Sequence, residues 1–165
     1  MADNYLENKM EEYRRTSPRR TSRLTPSGRK PGFALLPFDI TAALVTTERI
    51  DHTTEAVISE LRGTGCHVAL VCAAPEAAKA AQRLSCVFIP PSHDCMRLAA
   101  KAIGEPGLRI NIAADRIEVT TESGTSVIRA SEDTDTDTFA QRSAQTVVWL
   151  ALPLSRMYIK RDITL

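Results

Sequence analysis

The sequence is poor in aromatic residues (5%), carries a formal net charge of only +1 and has no long apolar run. No stretch approaches the roughly 18 consecutive apolar residues of a membrane-spanning helix, so a membrane protein is not expected. The start, Met1 to Lys9, is polar and acidic with no apolar run behind a basic cluster, which argues against a secretory signal. Four cysteines (Cys66, Cys72, Cys86, Cys95) form no CxxC pair, as expected of buried thiols in a reducing compartment rather than of a disulfide framework. Near-zero net charge argues against a globally basic nucleic-acid binder. There is no GxSxG, no GKS/T loop and no HExxH, and nothing nucleophilic stands out. The expectation is a soluble cytoplasmic chain of 165 residues with one folded domain.

Charge is unevenly spread. Residues 1–13 carry Asp3, Glu7, Glu11 and Glu12 against one lysine, and residues 14–30 then carry seven basic residues and no acid. The basic stretch also holds Pro18, Pro26, Gly28 and several Ser and Thr, a linker composition that cannot bury enough apolar surface to fold alone. Residues 1–32 therefore read as an extended or partly helical arm, and residues 33–165 as the folded body. Arg14 to Lys30 suits a solvated tail, or an arm laid on an acidic subunit surface, better than a nucleic-acid contact, because no aromatic-interleaved basic face continues into the body.

Within the body, short apolar runs alternate with amphipathic stretches. Ala42–Thr47, His67–Cys72, Cys86–Ile89 and Leu108–Ala113 read as strands. Between them lie helical patterns over 54–61, 75–84 and 94–103, the first closed by Gly63-Thr-Gly65, the second opened by Pro75 in its first turn and the third closed by Gly104-Glu-Pro-Gly107. This alternation predicts an α/β domain with a doubly wound, mostly parallel Rossmann-like sheet and crossover helices on both faces. Ile117 to Arg129 alternates around Ser123-Gly124 as a β-hairpin does, an excursion from that pattern. A helix over 139–152 and a last strand within 159–165 complete the reading.

Ala43 to Val71 resembles the opening βαβ unit of the short-chain dehydrogenase/reductase family. Ala144 to Leu165 is similar to that family's last helix, loop and final strand, and Leu108 to Ala113 resembles one of its later strands. The chain is shorter than usual members, so a middle βα section is missing. The resemblance implies a Rossmann-like sheet, NAD or NADP as cofactor, a Tyr-x-x-x-Lys catalytic pair and association through helices and the terminal strand.

The functional elements depart from that pattern. Where the family's phosphate loop has Thr-Gly-x-x-x-Gly-Ile-Gly, this chain keeps Thr46 but has Thr47, Asp51 and Thr53 for the glycines. Glycines let the backbone approach a pyrophosphate at a helix N-terminus, and Asp51 puts a carboxylate there instead. Asp51 or Thr53 reads more simply as a helix cap. Lys101 has Arg97, not a tyrosine, four residues before it, and the literal match Tyr5–Lys9 lies in the arm. Cys72-Ala-Ala replaces the ribose-binding acid, and Lys160-Arg161 stands where Thr-Gly is usual.

Cys66, His67, Cys86, His93 and Cys95 are metal-ligand types, but buried thiols beside strands explain them better than zinc. Asp133-x-Asp135-x-Asp137 opens like a calcium loop, yet Thr138 and Ala144 occupy positions that need Gly and Glu. No catalytic, metal or cofactor site is therefore expected. The sequence points to a non-catalytic, dehydrogenase-like scaffold that self-associates, as a dimer or larger with the arm across the neighbour, or that binds an intact short-chain dehydrogenase relative. The alternative is an atypical NAD(P)-dependent short-chain oxidoreductase.

Overall fold

Four apolar runs form the parallel core of one sheet: β1 (Ala42–Thr47), β2 (His67–Cys72), β3 (Val87–Ile89) and β4 (Leu108–Ile112). The computed structural model describes residues 8–9, 38–153, 155–157 and 161–165. The boundary between residues 32 and 33, and nearly all of the arm, lie outside the described residues. β4 turns directly into a hairpin, β5 (Arg116–Thr121) and β6 (Gly124–Arg129), and the sheet closes with β7 (Asp162–Thr164). The strand order is β3-β2-β1-β4-β5-β6-β7, with β5 alone antiparallel to its neighbours. This is the Rossmann-like, mostly parallel α/β sheet, with the hairpin at 116–129.

Among the described residues four helices pack on it: α1 (His52–Gly63), α2 (Ala77–Arg83), α3 (Cys95–Ile103) and α4 (Thr136–Ala151). α1 starts at Asp51, whose carboxylate accepts from the Thr54 N–H, and buries Val57, Ile58 and Leu61 completely. Each such side chain contributes about 1.5–3 kcal/mol of apolar burial. Gly65, at φ +89°, supplies the left-handed residue just past its end, where an L side chain would be strained. The helix expected from 75 begins at Ala77, and the one expected from 139 begins three residues earlier, at Thr136. That earlier start follows from Asp135, which accepts from both the Thr138 N–H and its hydroxyl.

The two faces of the sheet are covered unequally. Ala43, Val45, Val68, Leu70, Leu108 and Ile110 point to a first face under α1, α2 and α4. Leu44, Ala69, Val71 and Ile89 point to the second face, where Ala99 of α3 packs on β1, β2 and β3. Helices thus lie on both faces, as the alternation predicts. Across β4 to β7 only the first face is covered among the described residues, and β4 alternates buried and exposed accordingly: Leu108, Ile110 and Ile112 in, Arg109 and Asn111 out. A strand with one wet face reads this way, whereas β1, covered on both, is a continuous apolar run.

The cause lies in the connection through α4. The steps β1 to β2 and β2 to β3 place their helices on the first face, and the reversed step β3 to β4 places α3 on the second. Those three share one hand. The step β6 to β7 runs in the same direction as β3 to β4, yet α4 lies on the first face against α1. It therefore has the opposite hand, in a class of connection that is right-handed about 98% of the time.

Packing on the first face has a flaw at Ser143. The Ser143 hydroxyl on α4 is fully buried without a hydrogen-bond partner. A buried unsatisfied hydroxyl costs roughly 1 kcal/mol or more, and alanine is the better helix former. Ser143→Ala is expected to raise the urea midpoint with the slope unchanged, and a lowered midpoint would show that the hydroxyl is satisfied after all.

Candidate functional site

In an open α/β sheet the place to look is the crevice where strand order reverses, outside the carboxyl ends of the strands. Here it lies between β1 and β4, a space of about 170 Å³ lined by Thr47, Glu48, Arg49, Asp51, Ile112, Ala113 and Ala114. That is below the roughly 300–1,000 Å³ of ordinary small-molecule pockets. β1 delivers Thr47 to the crevice floor, and the loop to α1 folds back over it.

The loop's polar groups are engaged with one another. Thr47 Oγ1 donates to the Arg49 carbonyl at 3.0 Å and accepts from the Arg49 N–H at 3.4 Å. Thr54 Oγ1 donates to the same carbonyl at 3.4 Å. Asp51 Oδ1 accepts from the Thr54 N–H at 2.9 Å, and its other oxygen lies 3.9 Å from the Arg49 guanidinium. The carboxylate thus occupies the amide-rich, partially positive end of α1, where an anionic ligand would otherwise be held.

Of the four degenerate loop positions, the structure brings Thr47 and Asp51 together in the crevice. Thr53 is buried in the first turn of α1. Thr46 faces the opposite side of the sheet and lines a different groove. Lys101 and Arg97 sit on α3 away from the crevice, with Arg97 paired to Asp94. Tyr5 and Lys160 lie outside the described residues, and Arg161 stacks over Trp149 at 4.5 Å. Cys72, at the end of β2, is buried and its sulfur accepts from the Ala74 N–H. Asp135 of the calcium-like run is the cap of α4. Among the described residues no three His, Cys, Asp or Glu side chains are grouped to hold a metal ion, and no helix is long and apolar enough to cross a membrane.

Sequence reasoning missed Glu48 and the Ala113–Ala114 turn, which close the crevice with Arg49. It also missed the polar groove on the second face. The Leu-Arg-Ile-Asn-Ile alternation of β4 carried that signal, because a strand covered on both sides has no place for Arg109 and Asn111.

All four cysteines are free. Burial pushes the Cys66 thiol up to about 11, with Arg62 pulling weakly the other way, and pushes Cys86 up too. An unfolded thiol ionises near 9.0. The Cys66 contribution is therefore whole below about pH 9 and lost as pH rises through about 11, a change of roughly 2 kcal/mol. Urea denaturation across this window is expected to show stability falling less steeply in Cys66→Ala than in the parent; equal slopes would exclude this thiol as the cause.

No family model matches the chain, and no curated protein matches it. Among solved structures it is similar to an imine reductase from Myxococcus stipitatus, a V8 variant in complex with NAD+, at 8% identity and a TM-score of 0.34. The match covers 76% of this chain and 54% of that one, so the chain spans about half the length of that protein.

Proposed function

We propose that this chain is a shortened, non-catalytic relative of the short-chain dehydrogenases, acting in the cytoplasm through association with a second copy or with an intact family member. The observation that carries it is Trp149. The side chain is 46% exposed on the outward side of α4, with the Arg161 guanidinium over its ring, close to the open edge strand β7. Large aromatics paired with arginine are the residues that dominate interfaces when desolvated. Among the described residues β7 is hydrogen-bonded to β6 alone, and its other edge can extend the sheet into a partner. Light scattering on the full chain tests this: a dimer or larger at micromolar concentration is expected, and a monomer that also fails to retain an intact dehydrogenase relative would refute it.

The absence of chemistry is inferred from the crevice, where the Asp51 carboxylate holds the N-terminus of α1 and neither Lys101 nor Arg97 is among the lining residues. An atypical NAD(P)-dependent oxidoreductase is the second reading. One observation favours it: the crevice lies at the strand-order reversal, where such sheets bind nucleotides.

A further inference from the structure

We propose that the half of the second sheet face left without a helix among the described residues is a binding site for a small polyhydroxylated monocarboxylate. This goes beyond the association reading and does not depend on it. A groove of about 380 Å³ runs there beside α3, within the size range of metabolite sites. Its floor is built on strands, the most rigid support available, from Thr46, Arg109, Asn111, Glu118, Thr120 and Thr125. Strand register sets them in two rows. Arg109, Thr120 and Thr125 lie directly across from one another on β4, β5 and β6, and Thr46, Asn111 and Glu118 do so on β1, β4 and β5.

The state of each group defines the ligand. Arg109 has no ion-pair or hydrogen-bond partner among the described residues, while Glu118 is held by Arg116 Nε at 3.1 Å. The floor therefore presents one uncompensated guanidinium, whose fork geometry matches a carboxylate. Arg109 also borders an adjoining groove whose lip carries Glu105 and Glu122. Those two acids repel a second negative charge, so the ligand is a monoanion. Thr120 and Thr125 hydroxyls bond to each other at 3.0 Å, which leaves one hydroxyl proton and several lone pairs for a guest. The Asn111 amide and Thr46 hydroxyl add donors and acceptors in the second row. Such a set binds hydroxyls along a carbon chain whose acid end rests on Arg109. Met96 and the half-buried Cys95 form the wall that shields one side of it.

The test is an amide NMR titration of the full chain with sodium gluconate, alongside sorbitol, which lacks the carboxylate, and acetate, which lacks the hydroxyls. Saturable shifts confined to β1, β4, β5 and β6 are expected with gluconate, at least about tenfold weaker with either control and with Arg109→Ala, the loss of a charge-assisted pair. Asn111→Asp, an exposed change that adds a floor carboxylate, is expected to abolish the shifts without unfolding the chain. Gluconate should also slow alkylation of Cys95 by iodoacetamide in the parent and not in Asn111→Asp. Shifts that do not saturate, acetate equal to gluconate, or undiminished binding in the variants would overturn the proposal.

Discussion

Calorimetric titration of the full chain with NADPH is expected to give a dissociation constant in the millimolar range or weaker. A pyrophosphate placed at the N-terminus of α1 meets the Asp51 carboxylate, already bonded to the Thr54 N–H at 2.9 Å. Two like charges about 4 Å apart cost on the order of 4 kcal/mol at an effective dielectric near 20, nearly a thousandfold in affinity. Arg49 offsets little of this, because at 3.9 Å and with side chains 66% and 39% exposed the pair is screened by water. β-branched Thr47 adds bulk where a glycine would let the backbone close on the phosphate. Asp51→Asn separates charge from shape. Asparagine caps a helix as well as aspartate does, so stability should hold while NADPH binding tightens without reaching the micromolar range. A dissociation constant below about 50 μM for the parent would sink the non-catalytic reading and revive the oxidoreductase.

Replacing Trp149 by alanine is expected to raise the self-dissociation constant by roughly 30- to 1,000-fold, the 2–4 kcal/mol of an interface hot spot. The ring is largely outside the core, so the thermal midpoint of the monomer should barely move: surface changes stay within about 0.5 kcal/mol. Arg161→Ala should follow in the same direction with a smaller effect, since a partly exposed cation–π pair contributes about 0.5–1 kcal/mol. Sedimentation velocity over a concentration series reads both. Unchanged association in Trp149→Ala would move the interface elsewhere on the molecule.

Much of this architecture was legible because periodicity records burial. β1 and β2 read as buried on both faces and are, and the hairpin expected around Ser123-Gly124 forms, although its two turn residues are Glu122 and Ser123 and Gly124 already pairs with Thr121 in the ladder. Asp51 as a cap was readable too, since a short acid before an apolar-periodic run has that role more often than any other. What escaped was the hand of the last connection. Nothing in residues 130–161 distinguishes a helix packed on one face of a sheet from the same helix on the other, because both bury the same stripe of Ala140, Ala144, Val147 and Ala151. With that choice hidden, the face left without a helix among the described residues, and its groove, were hidden as well.

The opposite-handed connection also sets an order of events in folding. On the face it takes, α4 packs chiefly against α1, more than seventy residues earlier in the chain. Closing that separation is entropically slow compared with the hairpin of β5 and β6, which needs only a local turn. α4 and β7 should therefore join late. Substitutions such as Val147→Ala should speed unfolding while leaving the refolding rate nearly unchanged, the behaviour of a contact made after the barrier is crossed.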